Sequence, residues 1–194
     1  MEIKINKNKK VKVSNSKDIY LIMRQILLRE NKISRAQEHF WMVGLDQVSK
    51  ILYIELVALG SANSANIRAR EAFRLAIYKL AVKVILVHNH PSGELMPSNT
   101  DKDFTDYYIQ AGKFLNVKVI DHLIINEKEY FSFADTGIMD VLINSKKYVL
   151  PFELEEKARK EKAIAMVKVL KQKGIDLLTI MEASGLSEKE IKDL

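Results

Sequence analysis

Two histidines one residue apart, His88 and His90, close an apolar run at residues 82–87. If the run is a strand, its side chains alternate between faces and residues two apart point the same way. The two imidazoles then project together, and Pro91, which has no N–H to give a ladder, places them at the strand's mouth. Imidazole is a common zinc ligand, and a catalytic zinc takes three protein ligands and keeps a fourth position for water. Alone, so short a pair is equally well explained as surface histidines, so its meaning depends on what else can reach it.

Two segments can. Ser98-Asn99-Thr100-Asp101 is by itself a helix capping box, a serine followed three residues later by an acid. The intervening loop, residues 91–97, is long enough to fold back and bring that helix start to the histidines. Asp101 is then an anionic third ligand, and a His/His/Asp set lowers the pKa of a bound water toward about 7. The other segment is residues 51–59, where Glu55 interrupts an apolar stretch. A carboxylate there is costly unless paired or functional. Burial raises its pKa and suits it to act as a base. An edge-strand glutamate facing solvent is the competing explanation.

These side chains need a scaffold. Ser14 or Ser16 can cap a helix carrying Ile19, Ile22, Ile26 and Leu27 on one face, which fades near residues 30–32. Residues 40–45 and 51–59 read as a hairpin, and 82–87 as a strand buried on both faces. Helical spacing covers 65–80 and 98–114, a strand follows at 117–125, and 127–129 turns into 130–133. This alternation predicts an α/β domain. The expected organisation is a basic arm or short strand at 1–13, the α/β domain at 14–144, and a helical tail at 145–194. In the tail a charged helix at 152–173 stops at Gly174, and two short helical pieces flank Gly185. Those pieces outline a helix-turn-helix, but they are too small for an independent DNA-binding core and the last is acidic. A packed appendage is the better reading.

Composition removes several classes of function. With no cysteine, disulfides, thiolate metal sites and a cysteine nucleophile are excluded. No glycine-rich phosphate loop is visible, and the letters His-Asn-His are not the dispersed residues of an HNH nuclease. The start has no signal-peptide pattern, and no apolar run approaches the roughly 20 residues that span a bilayer. A cytoplasmic protein without membrane contact is expected. Of the net charge of +6, much lies at Lys4, Lys7, Lys9, Lys10 and Lys12. Such an arm can hold nucleic acid through phosphates, although without arginine or aromatics it reads better as a solvated terminus.

The order Glu55, His88-x-His90, seven residues, Ser98-x-x-Asp101 resembles the JAMM motif of JAB/MPN metalloproteases. The wider string His88-Asn89-His90-Pro91-Ser92-Gly93, Pro97-Ser98, Asp101, Asp121-His122 and Tyr130-Phe131-Ser132-Phe133 resembles the RadC branch, over roughly residues 36–140. The resemblance implies a cytidine-deaminase-like fold, a central mixed sheet flanked by helices. It implies one catalytic zinc on His88, His90 and Asp101, Glu55 as general acid/base, and Ser98 stabilising the oxyanion. Asp121-His122 can orient a ligand or be a structural pair. Two departures stand out. The family's usual preceding helical domain is absent or reduced to one helix, and Ala69-Arg70-Glu71 replaces the common Pro-Arg-Glu. The implied function is a zinc-dependent metallopeptidase or isopeptidase, with zinc-bound water activated by Glu55 attacking an amide of a peptide or protein substrate. The alternatives are a DNA-associated repair or recombination accessory protein, and a zinc-bearing scaffold with little turnover.

Overall fold

The computed structural model describes residue 3 and residues 11–60, 67–149 and 151–194. The expected arm falls largely outside the described residues, as do Ser61 to Ser64 of the loop and the first two residues of the helix expected at 65–80. The chain divides into two compact units, Met1–Tyr148 and Val149–Leu194.

The first unit is built on a five-stranded sheet in the order β2-β1-β3-β4-β5. Strands β1 (His39–Leu45) and β2 (Ile51–Leu59) form the expected hairpin. β3 (Lys83–Asn89) is antiparallel to β1 and parallel to β4 (Lys118–Ile125), and β5 (Tyr130–Ser132) closes the edge antiparallel to β4. Among the described residues this unit also holds six helices. Helix α1 (Ser16–Arg29) covers one face, packing Ile19, Met23 and Leu27 against Trp41, Val43, Ile85 and Val87. Its cap is neither Ser14 nor Ser16. Asn15 takes the position, its side-chain amide oxygen accepting the Asp18 N–H at 3.0 Å. A four-residue helix, α2 (Lys32–Arg35), follows where α1 was expected simply to fade.

The opposite face is covered by α3 (Ala69–Ala72), α4 (Arg74–Tyr78), α5 (Asn99–Phe114) and α6 (Ile138–Ile143). The single helix expected over 65–80 is interrupted at Phe73, which is fully buried and stacks on Tyr108 of α5 at 5.7 Å. Sequence spacing cannot register this break, because every residue around it keeps a helical pattern. The crossover β3–α5–β4 is the parallel unit that carries the site. Along β3, Val84 and Leu86 face α5 while Ile85 and Val87 face α1. The alternation continues to the strand's end, so His88 lies on the α5 side.

Asp121 and His122 on β4 divide between the two faces for the same reason. Asp121 is not bonded to the His122 ring. Its carboxylate accepts the backbone N–H of His122 at 2.7 Å, that of Ala134 at 2.9 Å and the Ser132 hydroxyl at 2.7 Å, tying β4 to β5 and the turn beyond. Segment 145–148 is strapped back onto α5 by Ser145 to Asp106 at 2.5 Å and Tyr148 to Asp103 at 2.8 Å.

The second unit holds α7 (Pro151–Gln172), α8 (Leu177–Ser184) and α9 (Glu188–Lys192) around a small core of Val167, Ile180 and Ile191. Gly174 and Gly185 adopt φ of 72° and 68° between its helices, a conformation that glycine reaches without strain.

Burial pushes the Asp121 carboxyl up to about 6, against the three bonds that lower it. A carboxyl raised on folding contributes stability that is complete below its free value and is lost as pH rises through the folded one. Between pH 4 and 6 the wild type should therefore lose up to about 3 kcal/mol relative to Asp121→Asn. Urea denaturation of both proteins across that range measures it, and a difference independent of pH would contradict it.

Candidate metal centre

His88 leaves the sheet at the end of β3 on the α5 side, with a side chain only 6% exposed. His90 follows two residues later, its backbone N–H still bonded to Ile125 O at 3.1 Å, so the strand geometry persists past Asn89. Asn89, between them, faces the other way. Its amide accepts from His39 N at 2.7 Å and donates to Gln37 O at 3.1 Å, which clamps the strand end to the residues entering β1. The loop after Pro91 folds back through a turn at Gly93, whose φ is 86°.

That return brings the start of α5 to the imidazoles. Ser98 caps α5 with both halves of a capping box: its hydroxyl oxygen accepts the Asp101 N–H at 3.1 Å, and Asp101 Oδ2 accepts the Ser98 N–H at 2.8 Å. The Ser98 hydroxyl also donates to the same Oδ2 at 2.6 Å. Oδ2 is thereby held toward Ser98. Oδ1 is left facing His88 Nε2 at 3.3 Å, and Oδ2 lies 3.8 Å from His90 Nε2. His88 Nε2 and His90 Nε2 are 2.8 Å apart. One ligand atom from each of His88, His90 and Asp101 thus falls within a mutual distance of 4.8 Å.

Two imidazole nitrogens and a carboxylate oxygen converging from a strand end and a helix start match a donor set that a three-ligand metal site can use. Among the described residues these three form the cluster that could hold a metal ion. The residues fit the group chemically. The carboxylate supplies one negative charge, and His88 is held neutral. Burial keeps His88 below the ordinary imidazole range, opposed by Asp101 and assisted by His90, and keeps fully buried His122 well below it, with His88 and His90 adding to the effect. Neutral imidazole is the form that coordinates metal.

Glu55 sits on the same sheet face. Tyr53 faces α5, Ile54 faces α1, and Glu55 comes next in the alternation, paired across to Met42. Met42 pairs on its other side with Leu86, two residues before His88. Glu55 therefore lies two strand spacings from β3, roughly 10 Å at the backbone. Its side chain is 3% exposed, so it is not a solvent-facing edge residue, and its Oε1 is met at 2.6 Å by the Arg74 guanidinium of α4, itself 67% exposed. Sequence reasoning missed this partner, since nothing in the spacing of residues 55 and 74 ties α4 to β2.

Of the groups that surround the imidazoles, it singled out His122, within Asp121-His122, and missed Thr105 and the Glu94 carbonyl. His90 Nδ1 meets Glu94 O at 2.7 Å, His88 Nδ1 meets His122 Nε2 at 2.8 Å, and His122 Nδ1 meets Thr105 Oγ1 at 2.6 Å. A signal existed for Thr105. It lies one helical turn after Asp101, on the same face of α5. For His122 the signal was its place in Asp121-His122.

Comparison with known proteins agrees with this architecture. A family model described as RadC-like JAB domain matches residues 13–138. A UPF0758 protein of Chlorobium chlorochromatii is 34% identical over 134 residues, covering 69% of this chain and 58% of that protein. A UPF0758 protein of Methanosarcina mazei is 38% identical over 130 residues, 67% of this chain and 55% of its own length. One of Caldanaerobacter subterraneus reaches 40% over 114 residues, 59% of this chain and 49% of its own. The chain thus spans three fifths or less of the length of these relatives.

Ser98→Ala removes the cap and the restraint on Asp101 together. Stability should fall by about 1 kcal/mol, and affinity for Zn2+ by about 10-fold or more. Urea denaturation and competition against a chromophoric chelator measure the two, and an unchanged affinity would show that Ser98 acts on the helix alone.

Proposed function

The chain belongs to the RadC-like JAB domain family, and on that premise we propose that it is a zinc-dependent hydrolase of the JAMM type that cleaves an amide bond in a peptide or protein. The observation that carries this reading is the convergence of His88, His90 and Asp101 at the carboxyl end of β3 on the sheet face that also carries Glu55. A metal on those three residues supplies Lewis acidity, which polarises a carbonyl and makes water a nucleophile at neutral pH.

The remaining chemistry falls to side chains of this chain. Glu55 accepts the proton of the attacking water and returns it to the departing amine nitrogen, so that one carboxylate serves as base and then as acid. Arg74 keeps that carboxylate oriented from α4 at 2.6 Å. As a surface residue it can move aside when Glu55 takes up the proton. Asp101 accepts from the Ser98 hydroxyl. With a cation drawing on that carboxylate, the Ser98 hydroxyl would be able to turn and donate to the oxygen of the tetrahedral adduct. A cavity of about 430 Å³ is lined by residues that include Leu27, Arg35, Asn89, His90 and Gly93, and of the three candidate ligands His90 alone lines it. Its size suits a substrate side chain.

Glu55→Gln preserves shape and removes the base. Turnover of a peptide or isopeptide substrate by the zinc-loaded variant should fall by about 100-fold or more, with zinc content unchanged. Equal turnover in variant and wild type would overturn the mechanism.

A further inference from the structure

The bonds around the imidazoles have a direction that can be worked out from one end. The Thr105 hydroxyl donates to the backbone carbonyl of Asp101 at 2.6 Å, one turn back along α5. A carbonyl can only accept, so the hydroxyl hydrogen is committed there. Toward His122 Nδ1, 2.6 Å away, Thr105 Oγ1 has only lone pairs to offer. His122 Nδ1 must therefore carry the hydrogen. His122 is completely buried, among Phe104, Phe133 and His88, where a second proton would be an unpaired interior charge. Its Nε2 is consequently bare and accepts from His88 Nδ1 at 2.8 Å. His88 then carries its hydrogen on Nδ1 and presents a bare Nε2. His90 reaches the same state independently, because its Nδ1 faces the Glu94 carbonyl at 2.7 Å.

Two bare nitrogens thus face each other at 2.8 Å with Asp101 Oδ1 at 3.3 Å from one of them, three acceptors and no hydrogen among them. An ordinary His88–His90 hydrogen bond would need a hydrogen on one Nε2, and the chain of donors leaves none. We infer that Thr105 and His122 are positioning residues for the metal centre: they fix His88 in its Nδ1–H form and so build a cation site before any cation arrives. Asp101 closes the ring, starting the relay with its main-chain carbonyl and ending it with its carboxylate. Because the relay terminates on a carbonyl, it orients a ligand and does not carry protons away.

This rests on reading His88, His90 and Asp101 as metal ligands, but its test needs no turnover. Long-range ¹H–¹⁵N correlation on the metal-free, ¹⁵N-labelled full chain at neutral pH assigns the hydrogen-bearing nitrogen of each imidazole. His88, His90 and His122 should all carry it on Nδ1. Thr105→Val, nearly equal in shape, should return His122 and His88 to mixed or Nε2–H forms and lower Zn2+ affinity about 10–100-fold, whereas Thr105→Ser should keep the wild-type tautomers and affinity. An Nε2–H form of His88 in the wild type overturns the inference, as do unchanged tautomers and affinity in Thr105→Val. Wild-type protein with His88 in the Nδ1–H form that nevertheless fails to bind Zn2+ supports the relay and overturns the hydrolase reading instead.

Discussion

Asp101 enters the centre twice, with its carboxylate beside two imidazoles and with its carbonyl at the start of the Thr105–His122–His88 chain. That ring binds the start of α5 to the end of β3 and the middle of β4, and its bonds are short. Each bond in it is between 2.6 and 2.8 Å, apart from the 3.3 Å approach of carboxylate to His88. Moving α5 by a fraction of its rise per residue would break it. The fold is arranged to prevent such motion. Phe104 and Tyr108 lock α5 against Phe40 and Phe73, and the strap at 145–148 holds its outer side.

The sheet's two-residue repeat does the rest of the positioning. It sends His88 toward α5 and Asn89 toward α1, so that one residue brings its imidazole to the candidate centre while its neighbour clamps the strand end. The same repeat puts Glu55 on the ligand face of β2. A buried carboxylate there would be costly alone. Arg74 offsets that cost from the surface, giving a carboxylate that is shielded from water yet paired with an exposed side chain. Placing the capping serine against Asp101 makes helix formation and carboxylate orientation a single event.

How much of this was legible in the sequence follows from the range of each interaction. The hairpin, the strand ending in two histidines, and the Ser98–Asp101 cap are local, and period and spacing revealed them. The α/β class and the RadC-like resemblance came from the order of such local pieces. The contacts that were invisible join distant residues: Arg74 with Glu55, Thr105 with His122, Asp121 with Ser132 and Ala134. Each depends on strand register or on where a helix lands, which no single segment specifies. The break at Phe73 was hidden for a related reason, since a buried aromatic satisfies a helical pattern whether or not the helix continues through it. The N-cap at Asn15 was a choice between chemically similar neighbours, settled by which side chain reaches an amide.

The account turns on His88, His90 and Asp101 acting as one metal site. The most direct measurement is zinc-edge X-ray absorption on the full chain loaded with one equivalent of Zn2+. Two imidazole nitrogens at about 2.0–2.1 Å with oxygen ligands completing four-coordination, reduced to one imidazole in His90→Ala, is the predicted result. Zinc surrounded by oxygen alone, or an unchanged spectrum in His90→Ala, would contradict it.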